Sequence, residues 1–133
     1  MSDRVPCAGA IVLDAEGRLL LIKRGRPPGQ GSWSVPGGRC LTGEAPQDAC
    51  VREVAEETGL VVRVLAEAGR VERDSSFGSV YDITDYHCEV VGGSLRAGDD
   101  ADEARWVRDS ELAELELVPG LLEALFEWGL LPG

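Results

Sequence analysis

The sequence predicts an α/β or α+β fold in a single domain over residues 1–133, on three observations. Runs rich in β-branched and leucine residues alternate with runs of helical pattern. No internal repeat relates them. At 133 residues, with 44% apolar and 28% charged side chains, the chain is long enough for one compact core and too short for two.

Val5–Asp14 and Arg18–Arg24 are strand-like runs separated by Asp14-Ala15-Glu16-Gly17, whose acidic and glycine residues suit a tight turn, so a β-hairpin is expected. Gly25–Gly38 holds five glycines and three prolines, which reads as a loop with a short strand around Trp33–Val35. Loops so rich in glycine bring backbone close to a ligand or to another segment. A helix is predicted over Pro46–Thr58, since Pro46 fits a first turn, Asp48 complements the helix dipole and Gly59 suits a left-handed closing residue. Leu60–Val71 and Ser79–Val91 follow as strands, with Gly92-Gly93 closing the second. Leu95–Glu103 reads as an acidic loop, Ala104–Val107 as a short strand, and Asp109–Leu115 and Val118–Trp128 as two short helices.

Charge and composition narrow the function. Thirteen Lys and Arg against 24 Asp and Glu give a formal charge of −11, which argues against a grip on duplex nucleic acid or an anionic membrane. Leu121–Leu131 is broken by Glu123 and Glu127 and is shorter than the roughly 20 residues a membrane helix needs. Met1-Ser2-Asp3-Arg4-Val5-Pro6 lacks the layout of a secretory signal, so a cytoplasmic protein is expected. Cys7, Cys40, Cys50 and Cys88 form no CxxC pair and read as small apolar residues, and His87 reads as structural.

The chemistry concentrates in one segment, Gly38-Arg39-Cys40-Leu41-Thr42-Gly43-Glu44, then seven residues, then Arg52-Glu53-Val54-Ala55-Glu56-Glu57-Thr58-Gly59-Leu60. On a helix Glu53, Glu56 and Glu57 stand at i, i+3 and i+4, on one face within an arc of about 100°. Cys50, Val51, Val54 and Ala55 then face the core. Three carboxylates on neighbouring turns repel one another, so the arrangement expects a cation, and hard oxygen donors suit Mg²⁺ or Mn²⁺. The competing reading is a solvated acidic face in an acidic chain.

The spacing Gly, five residues, Glu, seven residues, Arg-Glu-apolar-x-Glu-Glu-x-Gly-apolar resembles the signature of the Nudix hydrolases at every defined position. It occupies residues 38–60, and the flanking order of elements resembles the family along nearly the whole chain. The resemblance implies an α/β/α sandwich with a mixed sheet, in which the signature forms a loop-helix-loop. It implies divalent-metal-dependent hydrolysis of a phosphoanhydride bond in a nucleoside diphosphate linked to another moiety. Residue by residue it makes Glu53, Glu56 and Glu57 metal ligands, with the backbone carbonyl of Gly37 or Gly38 a further ligand. Arg52 then orients a glutamate of the signature, and Glu44 supports the loop or contributes to metal binding from outside. The general base is Glu53 first, Glu56 second, and Glu103, from the later acidic segment, third. A homodimer is compatible with the family.

A polyphosphate approaching so acidic a protein is repelled unless cations bridge the two, so metal binding is a precondition of substrate binding. Lys23, Arg24 and Arg26 form the densest basic run, and Arg39 adjoins the glycine pair, so these four are the candidates for phosphate. Phe77 and Tyr81 are the candidates to stack on a base, whereas Trp33 and Trp106 read as core. The short chain resembles nucleoside triphosphate pyrophosphohydrolases of the MutT kind, acting on ordinary or oxidised nucleotides. The alternatives are an ADP-ribose or other nucleotide-sugar pyrophosphatase, a non-catalytic ligand-binding sensor module of the same family, or an acidic interaction domain without ligand.

Overall fold

Side-chain alternation along the first two strands sets up two separate cores. In the computed structural model, which describes residues 4–25, 30–74, 78–98 and 101–130, strand β1 (Arg4–Val12) sends Ala8, Ala10 and Val12 into one core and Ile11 into the other. Strand β2 (Leu19–Arg24) likewise divides Leu20 from Leu19 and Leu21. This is the period of a strand buried on both faces. The first core is closed by Ala49, Cys50 and Val54 of helix α1 (Pro46–Thr58), and the second by Leu121 and Leu125 of helix α2 (Leu121–Glu127). The sheets therefore lie between helices, as the α/β/α sandwich requires.

Strands β4 (Gly37–Arg39), β1, β6 (Val80–Gly93) and β5 (Leu60–Asp74) form one sheet in that order. β1 and β6 run parallel and the other pairs antiparallel, so the sheet is mixed. Strands β3 (Trp33–Ser34), β2 and β7 (Ala101–Val107) form the second.

The expected hairpin is corrected by this topology. Its turn exists: Gly17 N–H donates to the Asp14 carbonyl at 3.0 Å, and Asp14 Oδ1 accepts the backbone N–H of Glu16 and Arg18 at 2.9 and 2.8 Å. Beyond a single bridge between Leu13 and Leu19 the two strands part. A strand has two edges, and those of β1 are taken by β4 and β6, which sends β2 to β3 and β7.

Other expected boundaries shift for identifiable reasons. Gly37–Arg39, placed at the end of a loop by composition, is an edge strand on Cys7, Ala8 and Gly9. The acidic segment before Ala104 is not loop throughout, because β7 begins at Ala101 and sets Glu103 opposite Lys23, a pairing of opposite charges across strands. β5 and β6 extend to Asp74 and Gly93 by pairing with each other. The first C-terminal helix is a 3-10 turn over Asp109–Glu114, and the second starts only at Leu121, after Pro119 and a left-handed Gly120.

Helix α1 has the predicted bounds, closed by Gly59 at φ 75° with its N–H on the Ala55 carbonyl at 3.0 Å. A Cβ at this position would lie 2.5 Å from the Ser94 carbonyl oxygen. Gly59→Ala is therefore expected to cost about 1–3 kcal/mol, read as a lower urea midpoint with unchanged slope. Cys7, Cys50 and Cys88 are buried and all four thiols are free; burial pushes Cys7 up to about 11, in keeping with inert apolar side chains. No helix among the described residues is long and apolar enough to cross a membrane.

Candidate active site

Arg52 gathers the carboxylates that the helix alone would hold apart. From the middle of α1 its Nε and Nη2 donate to the two oxygens of Glu44 at 2.9 and 3.0 Å, while Nη1 donates to Glu53 at 2.8 Å and to Glu56 at 3.2 and 3.3 Å. Nη2 also donates to the Arg39 carbonyl at 3.0 Å, tying the helix to β4. This planar fork uses geometry a lysine lacks. Glu44 in turn accepts the Leu41 N–H at 2.9 Å, closing the loop before the helix. Its carboxyl is held below the usual range, first by the Arg52 hydrogen bonds and then by the Leu41 N–H. Arg52, in a cluster of negative charge, is pushed above its already high value, chiefly by its bond to Glu44.

The three helix glutamates do not share one solvent face. Glu57 is buried, at 5% exposure, whereas Glu56 is exposed, and on the side expected to be core Ala55 is exposed and Val51 only half-buried. Glu57 turns inward because strand β4 meets it: the Gly37 N–H donates to Glu57 Oε1 at 2.8 Å. The carboxyl of Glu53 occupies the space a side chain at residue 38 would fill, since a Cβ on Gly38 would fall 2.6 Å from its Cδ. The glycine pair thus lets backbone approach the acidic helix.

Gly37, Gly38 and Arg39 also line a cleft of about 590 Å³ that runs across the far face of β1, β5 and β6. Arg24 and Tyr81, both picked out in the sequence, line it too. Arg39 Nη2 donates to the Tyr81 hydroxyl at 3.0 Å, and its guanidinium lies 5.4 Å from the ring centroid, so a basic and an aromatic side chain 42 residues apart form one wall. Lys23 is not brought to the cleft: adjacent strand residues point to opposite faces, and Lys23 stands across from Glu103. No hydrogen bond joins Glu103 to the Arg52 cluster among the described residues. Arg26 and Phe77 lie outside the described residues. Trp33 is buried in the second core and Trp106 packs on the first, as expected.

One cleft residue escaped the sequence reading. Asp85 on β6 is 5% exposed, and its Oδ1 has no hydrogen-bond partner among the described residues. Burial pushes its carboxyl up to about 6 against the opposing pull of Arg73. The available signal was an aspartate inside a strand-like run, where that residue type is depleted.

The donor set fits a hard divalent cation. The carboxylates of Glu44, Glu53 and Glu56 surround one guanidinium, that of Glu57 accepts the Gly37 N–H, and that of Glu53 lies against Gly38. Among the described residues no three or more His, Cys, Asp or Glu side chains are placed to hold a metal ion by themselves. Mg²⁺ characteristically takes one or two carboxylates and completes its shell with water and substrate phosphates, so an open donor set suits it.

The model of the NUDIX domain family matches residues 3–128. An ADP-ribose pyrophosphatase of Methanocaldococcus jannaschii is 38% identical over 107 residues, 78% of this chain, which spans 62% of that protein's length. A Mycobacterium tuberculosis protein named "Putative 8-oxo-dGTP diphosphatase 2" is 37% identical over 120 residues, 90% of this chain and 83% of that one. The crystal structure of a MutT NUDIX hydrolase from Burkholderia pseudomallei matches with a TM-score of 0.83 and 27% identity, covering 94% of this chain and 98% of that one.

Proposed function

The chain belongs to the NUDIX domain family, whose hydrolases generally need a divalent metal and act on small nucleotides, and we propose that it is a Mg²⁺- or Mn²⁺-dependent nucleoside triphosphate pyrophosphohydrolase, accepting ordinary or oxidised bases. The observation that carries this reading is that Gly37–Arg39 belongs both to the carboxylate cluster and to the wall of the cleft. A nucleotide lying in the cleft would present its phosphates at the cluster.

Glu53, Glu56 and Glu57 would hold the metal, with a Gly37 or Gly38 carbonyl as a further ligand. When bound, such an ion neutralises phosphate charge and acidifies water. Arg52 fixes the carboxylates of Glu53 and Glu56 through hydrogen bonds on one guanidinium nitrogen. Glu53 accepts the proton of the attacking water, with Glu56 next in line and Glu103 third. Arg24 and Arg39 hold phosphate oxygens, and Tyr81 offers its face to the base.

The test is phosphate release, after a coupling enzyme, from nucleoside triphosphates, oxidised purine triphosphates, ADP-ribose, NADH and diadenosine polyphosphates with each metal. Metal-dependent turnover of a triphosphate is the expected result. The second reading, ADP-ribose hydrolysis, is favoured by the 38% identical relative of that name and predicts turnover of ADP-ribose instead. Silence across the panel overturns both, and saturable metal binding would then favour a sensor module.

Arg52→Ala is expected to lower turnover by about tenfold or more, a larger effect than on the melting temperature, because its pairs with Glu44 and Glu53 are only partly buried while their geometry orients the reacting groups. Parallel kinetics and thermal melts check it, and an unchanged rate makes Arg52 structural.

A further inference from the structure

Asp85 lies across the sheet from the carboxylate cluster. Gly37, Gly9 and Asp85 are register partners on the neighbouring strands β4, β1 and β6, which puts Asp85 two strand spacings, about 10 Å, from the Gly37 backbone. That separation suits a nucleotide whose phosphates lie at Gly37 and whose base lies at Asp85. The carboxyl sits in a notch that exists because residue 9 lacks a side chain: a Cβ on Gly9 would fall 2.1 Å from Asp85 Oδ1. Apolar Val71, Ile83, Val118 and Leu121 line the same cleft. Arg73 is the cation nearest in effect, but its guanidinium donates to the Pro119 carbonyl. An acceptor buried without a donor is a standing cost to the fold, and in a ligand cleft the natural explanation is that the ligand brings the donor.

We propose that Asp85 is the specificity-determining residue of the cleft, accepting N–H donors from the edge of the bound base. The inference rests on the nucleotide reading above and deepens it. A carboxylate carries two acceptors and no donor. Guanine presents two adjacent N–H donors, its ring imino group and exocyclic amine, and matches both oxygens. Hypoxanthine keeps only the imino donor. Adenine sets a ring acceptor beside its amine, so one carboxylate oxygen would face a lone pair. A site built to receive donors rejects the analogue that lacks them, because its own buried group is left unpaired.

Calorimetric binding of GMP, IMP and AMP at about pH 7.5 tests this without turnover, since none of them has an anhydride bond. The protein is expected to bind GMP about tenfold tighter than AMP, with IMP between them. Asp85→Asn should bring GMP and AMP within about threefold of each other, because the amide offers one donor and one acceptor. Gly9→Ala, whose methyl displaces the carboxyl from its notch, is the second variant and should lose the preference as well. Equal binding of the three ligands, no binding, or a preference retained in Asp85→Asn overturns the proposal. A protein that prefers GMP yet hydrolyses no triphosphate overturns the reading of the reaction and leaves Asp85 as assigned. Turnover of triphosphates without base preference does the reverse.

Discussion

Glu57→Gln is expected to lower turnover by about a hundredfold or more while leaving the fold intact. The substitution keeps an oxygen where the Gly37 N–H donates at 2.8 Å, so the contact between α1 and β4 survives. What disappears is one negative charge at the junction of cluster and cleft. Glu53→Gln should behave alike, since the amide fits the space beside Gly38 but neither holds a cation nor accepts a proton as a carboxylate does. Both variants should also lose saturable Mg²⁺ or Mn²⁺ binding by calorimetry. Circular dichroism melts distinguish loss of chemistry from loss of structure. Turnover retained in both removes these residues from the reaction.

Asp85→Asn is expected to stabilise the protein near neutral pH by about 3 kcal/mol, the free-energy equivalent of a carboxyl raised from its ordinary 3.8 to about 6. The sign follows from which state binds the proton more tightly. Below about pH 4 the carboxyl is neutral whether folded or unfolded, and burial is tolerated. From about pH 4 to about 6 the unfolded chain ionises the carboxyl in water while the folded protein holds it protonated, so stability falls across that window and the loss is complete above about 6. Arg73 offsets part of this cost by attraction, and the Asp85 charge in turn adds to the upward push on the Cys50 thiol of α1. Urea midpoints at about pH 4.5 and pH 7.5 check it: the advantage of the variant should be large at the higher pH and small at the lower. An advantage independent of pH would mean that packing, not ionisation, separates the two proteins. Paired with loss of base preference, stabilisation would mark Asp85 as a residue held at the expense of the fold, a common pattern in binding sites.

The legible part of this protein is local. Pro46, Asp48 and Gly59 bound helix α1 because capping depends on the residues within one turn of each end, and the spacing of Arg52, Glu53, Glu56 and Glu57 follows from helix geometry alone. The resemblance carried by Gly38–Leu60 rests on those same local spacings, and the family match bears it out. Tertiary structure alone decided the remainder. It separated β1 from β2 because both edges of β1 were already paired. It buried Glu57 under Gly37 and left Glu56 outside, although a helix drawn in isolation puts them side by side. It brought Arg39 to Tyr81 and Asp85 to Gly9, pairs whose partners are far apart along the chain. Strand register and burial are set by which edges and faces other segments occupy, so no window of sequence contains them. The helix that carries the carboxylates could be read in advance, and the cleft beside it could not.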